Sequence, residues 1–186
     1  MLETLAPAER VAFVLHDMFD LSFEEIAAIV GRSPVAARQL ASRARRKVQG
    51  GPAVPEPERA RHREVVNAFF AASQAGDFEA LLAVLDPDVV LRADETAVQT
   101  AAANQARGAP SLSKEIHGAR AVFEAFKGRA RGAVPALIDG APGAVWAQRG
   151  QTRAVFAFTI EGEKVVEIDL LMDPVDLGQL EVALEG

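Results

Sequence analysis

The stretch DLSFEEIAAIVGRSPVAARQLASRARRKV, residues Asp20 to Val48, contains the signals for two helices and a tight turn between them. Ser22 followed three residues later by Glu25 has the spacing of a reciprocal capping box, which predicts the start of a helix. Gly31 predicts its end, because glycine adopts the positive φ of a tight turn without steric cost. The stretch therefore predicts a short helix that ends in a glycine turn.

A second helix is predicted directly after that turn. Ser33 is placed as its N-cap, and Pro34 suits the first helical position, where a backbone N–H would lack a partner. Small and apolar residues recur on one face of this helix at three- and four-residue spacing: Ala37, Leu40, Ala44 and Val48. A short helix, a glycine turn and a second helix with small inward residues form the helix-turn-helix pattern.

The spacing of apolar residues before Gly31 predicts which side chains of the first two helices are buried. A helix over APAERVAFVLHDMF is expected to bury the stripe formed by Val11, Val14, Leu15 and Met18. The short helix that starts after Ser22 is expected to bury Ile26, Ala27, Ile29 and Val30. Together with the helix after Ser33, these segments predict a small all-helical domain.

The face of the last helix that points away from this core is basic. Six basic side chains and no acidic one follow Gly31 up to Val48. Arginine donates two hydrogen bonds to guanine in the major groove, glutamine pairs in the same way with adenine, and further cations neutralise phosphates. We therefore predict a DNA-binding face made of Arg32, Ser33, Arg38, Gln39, Ser42, Arg43, Arg45, Arg46 and Lys47. The alternative is the solvated basic face of an ordinary helical hairpin.

Charge is distributed unevenly along the 186 residues. Residues 1–49 hold seven Lys/Arg against six Asp/Glu, whereas the rest of the chain holds thirteen against twenty. This asymmetry predicts two units with different partners. The chain has no cysteine, which excludes disulfides and thiolate metal sites, and we expect no metal and no cofactor. The charged amino terminus and the absence of an apolar run of ~20 residues predict a cytoplasmic protein without membrane contact.

A linker is predicted at QGGPAVPEPE, Gln49 to Glu58, because glycine and repeated proline oppose helix continuation. We place a helix-turn-helix domain at residues 1–49, the linker at 50–58 and a second domain at 59–186. In the second domain, helical stripes that include Phe69, Phe70, Phe123 and Phe126 as inward residues predict helices first, and alternating runs predict strands after them. This order predicts an α+β fold with a curved antiparallel sheet.

The first domain resembles region 4 of extracytoplasmic-function (ECF) sigma factors. The resemblance rests on LAPAERVAFVLHDMFDLSFEEIAAIVGRSPVAARQLASRARRKV, Leu5 to Val48. It implies a transcription initiation factor that reads the promoter minus-35 element through Arg38, Gln39, Ser42 and Arg43, with core RNA polymerase as a partner. Region 2 of such factors has no counterpart in the sequence. We therefore expect the carboxy-terminal part of a longer factor, a start placed at an internal methionine, or a region-4 protein unable to open promoters alone.

The second domain resembles the SnoaL-like, nuclear-transport-factor-2-like cone over Arg59 to Met172. The phrase that carries this resemblance runs from Phe69 through Phe78 and from Asp88 to Asp94. Region 4 followed by such a domain is similar to a group of ECF sigma factors whose carboxy-terminal extension regulates the factor in cis. The resemblance therefore implies regulation of the DNA-binding domain by the cone.

Relatives of the cone include isomerases and cyclases, which need a carboxylate base and a donor to the developing oxyanion. The chain has no tyrosine, so an isomerase-type tyrosine donor is excluded. Alternation predicts that Arg92 and Asp94 share one face of a strand. The candidate cavity residues are these two together with His117, Trp146, Phe156, Phe158 and Asp169. We expect no enzymatic activity. Two alternatives stay open: a stand-alone helix-turn-helix regulator that senses a small molecule in the cone, and a SnoaL-like isomerase or cyclase.

Overall fold

The computed structural model describes residues 5–48, 55–129 and 131–184. The chain divides into two compact units, Met1–Val54 and Pro55–Gly186. Each unit has a hydrophobic cluster of its own. Because the first is helical and the second combines helices with a sheet, the two are described separately.

Three helices form the first unit: α1 (Pro7–Asp17), α2 (Phe23–Val30) and α3 (Pro34–Val48). The predicted capping box starts α2: Ser22 Oγ accepts a hydrogen bond from the Glu25 amide at 3.3 Å, and Glu25 Oε2 accepts one from the Ser22 amide at 2.9 Å. Gly31 ends α2 with φ of +66°. Ser33 Oγ accepts a hydrogen bond from the Ala36 amide at 3.1 Å, which caps α3 as predicted.

Small side chains dominate the core of the first unit. Its fully buried cluster consists of Ala12, Ile26, Ala27, Ala37, Leu40 and Ala41. The predicted stripe of α1 is partly wrong, because Val11 and Met18 are exposed and Ala12 faces the core instead. Ile29 of α2 is exposed as well. Alanine at the contacts lets the helices approach closely, so the bulkier side chains point outward.

The helical part of the second unit begins earlier than the predicted domain boundary at residue 59. They are α4 (Glu56–Ala75), α5 (Phe78–Val84), α6 (Glu95–Ala103), α7 (Ala119–Phe126) and α8 (Pro174–Leu177), with a 3-10 turn at Gln105–Arg107. Residues 56–58 of the predicted linker therefore belong to α4, and residues 50–54 of that linker lie outside the described residues. Pro57 is tolerated because it sits in the first helical turn, where its missing N–H has no intrahelical acceptor.

One seven-stranded sheet completes the second unit. Its strands are β1 (Leu85–Ala93), β2 (Glu115–His117), β3 (Ala133–Ile138), β4 (Ala141–Gln148), β5 (Gln151–Glu161), β6 (Lys164–Leu171) and β7 (Val182–Leu184). Their order is β2-β1-β6-β5-β4-β3-β7. The predicted antiparallel meander is present from β3 to β6. The sheet is mixed, however, because β1 pairs with β6 in parallel, with Leu91 beside Ile168.

A phenylalanine cluster lies between the helices and one face of the sheet. The ring of Phe69 on α4 contacts Phe70, Phe126 and Phe158 edge-on at centroid distances of 5.2, 4.9 and 5.3 Å. Edge-to-face pairs of this kind add about 0.5–1.5 kcal/mol to simple apolar burial. Ala136, Ile138, Val145 and Val155 form a smaller cluster with residues at and beyond α8. Among the described residues, no helix has the length and apolarity needed to cross a membrane.

Candidate nucleic-acid interface

The basic residues of the first unit lie on α3 and on the turn that precedes it. Ser33 is the cap of α3, and Arg32 sits in the turn, where its Nη1 donates a hydrogen bond to the carbonyl of Gly31 at 2.9 Å. Gln39, Ser42 and Arg46 follow along α3 and are half-buried. The cap and the glycine turn fix the direction of α3 relative to α2, which is the geometry that a recognition helix requires.

Arg38 is held against an aromatic ring. Its guanidinium carbon lies 4.7 Å above the ring centroid of Phe23, the first residue of α2. A stacked cation of this kind contributes about 0.5–1 kcal/mol at an exposed site and limits the freedom of the side chain. Stacking uses the face of the guanidinium and leaves its N–H donors in the plane. The contact therefore orients the side chain that follows the first turn of α3.

Two cations of α3 converge on one buried carboxylate. Lys47 Nζ lies 3.0 Å from both oxygens of Glu9, and Arg43 Nη1 lies 3.3 Å from Glu9 Oε1. Glu9 stands in the first turn of α1 with 1% of its side chain exposed, and its Oε2 also accepts a hydrogen bond from the Ala6 amide at 3.0 Å. The carboxylate thus joins the start of α1 to the end of α3.

The electrostatics of this cluster favour the charged form of Glu9. Burial acts to raise its pKa, but the hydrogen bonds from Lys47 and Ala6 and the charges of Lys47 and Arg43 outweigh that effect. The pKa of Glu9 therefore lies below its ordinary value. A negative charge at this point compensates two of the cations that we predicted to contact DNA.

A second ion pair joins the other end of α1 to α3. Arg45 donates two hydrogen bonds to Asp17, from Nε at 2.9 Å and from Nη2 at 2.5 Å. These bonds lower the pKa of Asp17 and raise that of Arg45. Three of the nine predicted DNA contacts, Arg43, Arg45 and Lys47, thus have a structural role within the unit. Their contacts with DNA stay predictions.

Sequence reasoning missed the acidic partners Glu9 and Asp17. The available signal was spacing, because Arg43 and Lys47 are four residues apart and so share one face of α3. Glu9 is also three residues before Ala12, which places its carboxylate beside the buried face of α1. A lone acid in an inward stripe, opposite two cations at this spacing, indicates an interhelical ion pair.

The candidate cavity residues of the second unit lie in different places. Phe156, Phe158 and Trp146 belong to or pack against the main core. Arg92 bonds Glu115 at 3.1 Å and Glu167 at 2.9 Å, while Asp169 is buried in β6. His117 is exposed at the end of β2, 3.0 Å from Glu115.

Asp94 has a different environment from the one predicted. It lies one residue beyond β1 as the N-cap of α6, where its Oδ1 accepts a hydrogen bond from the Ala97 amide at 2.7 Å. Its Oδ2 accepts two more, from the amides of Met172 at 2.7 Å and Asp173 at 2.8 Å. The predicted common strand face of Arg92 and Asp94 is therefore wrong, because β1 ends at Ala93. Asp94 connects two chain segments through backbone hydrogen bonds.

The helical unit matches a known family. Residues 1–48 match the family described as Sigma-70, region 4. We call residues 1–48 region 4 after the family that they match. The residues that the match covers include the capped α2, the glycine turn, α3 and the carboxylate of Glu9. The match thus extends over the whole of the basic helix α3.

The whole chain is similar to ECF sigma factors. It is 36% identical over 187 aligned residues to the probable ECF RNA polymerase sigma factor SigI of Mycobacterium tuberculosis, an alignment that covers all of this chain and 60% of SigI. ECF sigma factor SigJ of M. tuberculosis is 43% identical over 122 residues, which cover 63% of this chain and 38% of SigJ. The chain therefore spans less than two thirds of these relatives, and region 4 is the part that the family match defines.

Solved structures were matched as well. The crystal structure of M. tuberculosis SigJ is 31% identical and covers 95% of this chain and 62% of that chain, with a TM-score of 0.49. An NTF2-like protein from Burkholderia xenovorans is 20% identical, covers 60% of this chain and 81% of that chain, and gives a TM-score of 0.37. The chain thus has matches among both ECF sigma factors and NTF2-like proteins.

Proposed function

We propose that this chain acts in transcription initiation as an ECF-type sigma factor, or as the carboxy-terminal part of one, and reads the promoter minus-35 element through α3. The observation that carries the proposal is the capped α2–Gly31–α3 motif within region 4, with six basic and no acidic side chains after the glycine. Core RNA polymerase is its proposed protein partner. Similarity to SigI along the whole chain supports this assignment.

Within α3, we assign base contacts to Arg38, Gln39, Ser42 and Arg43. Phosphate contacts are assigned to the remaining predicted residues: Arg32, Ser33, Arg45, Arg46 and Lys47. Ser33 would act through the N-terminal end of α3, where backbone N–H groups favour an anion. The pairing of Arg45 and Lys47 with acids means that phosphate contact has to compete with Asp17 and Glu9.

The test is selection of duplex DNA by the full chain from a random library, followed by anisotropy titration of selected and scrambled duplexes. Gln39→Ala is expected to relax preference at one base pair and to cost about 1–3 kcal/mol on the selected duplex. Gln105→Ala serves as the matched control, since Gln105 is an exposed glutamine of the second unit. Selection that enriches no motif would contradict minus-35 recognition.

The second unit is proposed to modulate region 4 in cis. The proposal rests on the charge of the second unit. Beyond residue 49 the chain holds thirteen basic and twenty acidic residues. This excess of negative charge opposes the approach of a polyanion over about one Debye length, ~10 Å at 0.1 M salt. We expect residues 1–54 to bind random duplex DNA more tightly than the full chain at low salt, with circular dichroism checking that they remain helical. Equal affinities would oppose this electrostatic regulation.

We infer that the second unit is not catalytic. Asp94, a candidate carboxylate one residue beyond β1, uses both of its oxygens for backbone hydrogen bonds. The ring of Phe70 contacts the rings of Phe156 and Phe158, with a centroid distance of 5.8 Å to each. Turnover of an enone or polyketide substrate that is abolished by Asp94→Asn would contradict this inference.

A further inference from the structure

An open groove of about 860 Å³ lies on the second unit. Its walls come from α5, the start of β1, the junction between β2 and α7, and Lys164 at the start of β6. This volume is within the range of ~300–1,000 Å³ that is typical of small-molecule sites. Of the candidate cavity residues predicted from the sequence, His117 alone is among the residues that line this groove.

The floor of the groove is apolar. It is formed by Phe78, Leu82, Leu85 and Pro87, with Ala119 and Ala121 of α7 beside them. Leu85 is buried, whereas Leu82 keeps 39% of its surface exposed. Covering apolar surface of this kind removes it from water, which stabilises a bound apolar group. The floor is therefore suited to a hydrocarbon or aromatic group.

The ionisable residues that line the groove are basic rather than acidic. His117, Arg120 and Lys164 line it, and no acidic side chain is among the lining residues that the structure describes. This is the reverse of the surrounding chain, in which acidic residues outnumber basic ones beyond residue 49. A basic rim on an acidic unit indicates an anionic group at the edge of the floor.

Arg120 is positioned to donate hydrogen bonds. Its guanidinium carbon lies 4.9 Å above the ring centroid of Phe78, so the ring holds the face of the cation. Within the described part of the chain, Arg120 has no hydrogen bond or ion pair, and its in-plane N–H donors are not used. A stacked guanidinium with open donors binds a carboxylate in bidentate fashion.

Lys164 is fixed by the carboxyl end of α5. Its Nζ donates to the carbonyls of Ala83 at 2.7 Å and Leu82 at 3.3 Å. An ammonium has three N–H donors, so one remains for a ligand. The two carbonyls therefore hold the cation beside Leu82, at the boundary between the floor and the solvent.

We propose that this groove binds an amphiphilic carboxylate, with its apolar tail on Phe78, Leu82 and Leu85 and its carboxylate on Arg120 and Lys164. The apolar floor supplies most of the contact area, and the two cations select the head group. The proposal concerns the second unit alone. It holds or fails independently of DNA recognition by region 4.

The experiment is calorimetric titration of the full chain with decanoate below its micellar concentration. We expect one decanoate per chain, and no measurable binding of acetate or of decyltrimethylammonium. Arg120→Glu is expected to weaken decanoate binding by about tenfold or more, because it replaces a charge-assisted bond by repulsion. Leu82→Gln is expected to weaken it by about threefold or more, because it removes apolar floor. Arg107→Glu makes the same charge change outside the groove and should stay within about twofold of the wild type.

Three results would overturn the proposal. Wild-type protein that does not bind decanoate would do so directly. Equal dissociation constants for Arg120→Glu and Arg107→Glu would remove the head-group site, and binding of decyltrimethylammonium as tight as that of decanoate would show that charge does not select the ligand. Sedimentation of the same samples tests whether a second copy of the chain occupies the groove instead. A wild-type dimer that does not bind decanoate, and that Leu82→Gln dissociates, would assign the floor to a second copy of the chain.

Discussion

Lys47 Nζ lies 3.0 Å from each carboxylate oxygen of Glu9, a residue 38 positions earlier whose side chain is almost completely buried. The contact joins the last turn of the proposed recognition helix to the first turn of α1. Arg43, one helical turn before Lys47, bonds the same carboxylate. A basic helix proposed for DNA binding is thus anchored by two of its own cations.

Glu9→Gln is expected to destabilise region 4 by about 1–3 kcal/mol, because it leaves the cations of Lys47 and Arg43 without their counter-charge near a buried position. The measurement is amide hydrogen exchange of α1 and α3 in the full chain. Glu24→Gln is the matched control, since Glu24 is exposed on α2. Equal protection of α3 in the two variants would show that the buried carboxylate contributes nothing to stability.

Stability of region 4 should also fall in acid. The folded pKa of Glu9 is below its ordinary value of 4.5, so its charged form stabilises the fold. That contribution is fully present above pH 4.5 and is lost as the pH falls through the lower, folded pKa. Hydrogen exchange of α3 between pH 3 and pH 6, corrected for intrinsic rates, should show this loss in the wild type and a smaller loss in Glu9→Gln. If the wild type and Glu9→Gln lost protection in the same way as the pH falls, the acid sensitivity would belong to other groups, with Asp17 as the first candidate.

Arg43 and Lys47 offer a test of base against phosphate contact. Arg43→Ala is expected to cost about 1–3 kcal/mol on the selected duplex and to relax preference at one base pair, whereas Lys47→Ala should weaken all duplexes alike and reduce the salt slope by about one. Anisotropy titrations over a salt series give both quantities.

Because both residues bond Glu9, a purely structural role has its own signature. Loss of helix order would lower affinity for selected and random DNA equally in both variants and leave the salt slope unchanged. Arg38→Ala provides the comparison, since Arg38 stacks on Phe23 of α2. Equal losses for Arg43→Ala on every duplex, with preference retained, would place Arg43 among the structural residues.

Local signals were sufficient for part of this structure. The caps at Ser22 and Ser33 and the turn at Gly31 act over a few residues, so their spacing in the sequence predicted them. Hydrophobic periodicity found the inward residues of α4 and α7, including Phe69 and Phe126, because large aromatic side chains give a strong signal. In α1 the same reasoning failed, since Ala12 is too small to rank above its neighbours in a hydrophobic pattern.

Contacts between distant segments were not predicted. The parallel pairing of β1 with β6 brings Leu91 beside Ile168, and strand order of this kind is not encoded by alternation within either strand. The ion pairs of Glu9 and Asp17 also join segments that are far apart in the sequence. The strand placement of Asp94 was wrong for this reason, because its partners Met172 and Asp173 belong to the segment that directly follows β6.

Asp94→Ala is expected to destabilise the second unit by about 2–4 kcal/mol. Asp94 is 2% exposed and accepts three backbone N–H bonds, from Ala97, Met172 and Asp173, and a hydrogen bond of this kind contributes about 0.5–1.5 kcal/mol net. Urea denaturation followed by the fluorescence of Trp146, the single tryptophan, measures the free energy of unfolding of this unit.

Asp77→Ala is the matched control for that change. Asp77 caps α5 through one hydrogen bond, from the Ala80 amide at 3.0 Å, in an exposed position. Loss of a cap of this kind costs about 1 kcal/mol. The excess cost of Asp94→Ala over Asp77→Ala then measures the two bonds that fix Met172 and Asp173 beyond β6. Equal costs would mean that Asp94 acts only as the cap of α6, and that the segment after β6 is held by its other contacts.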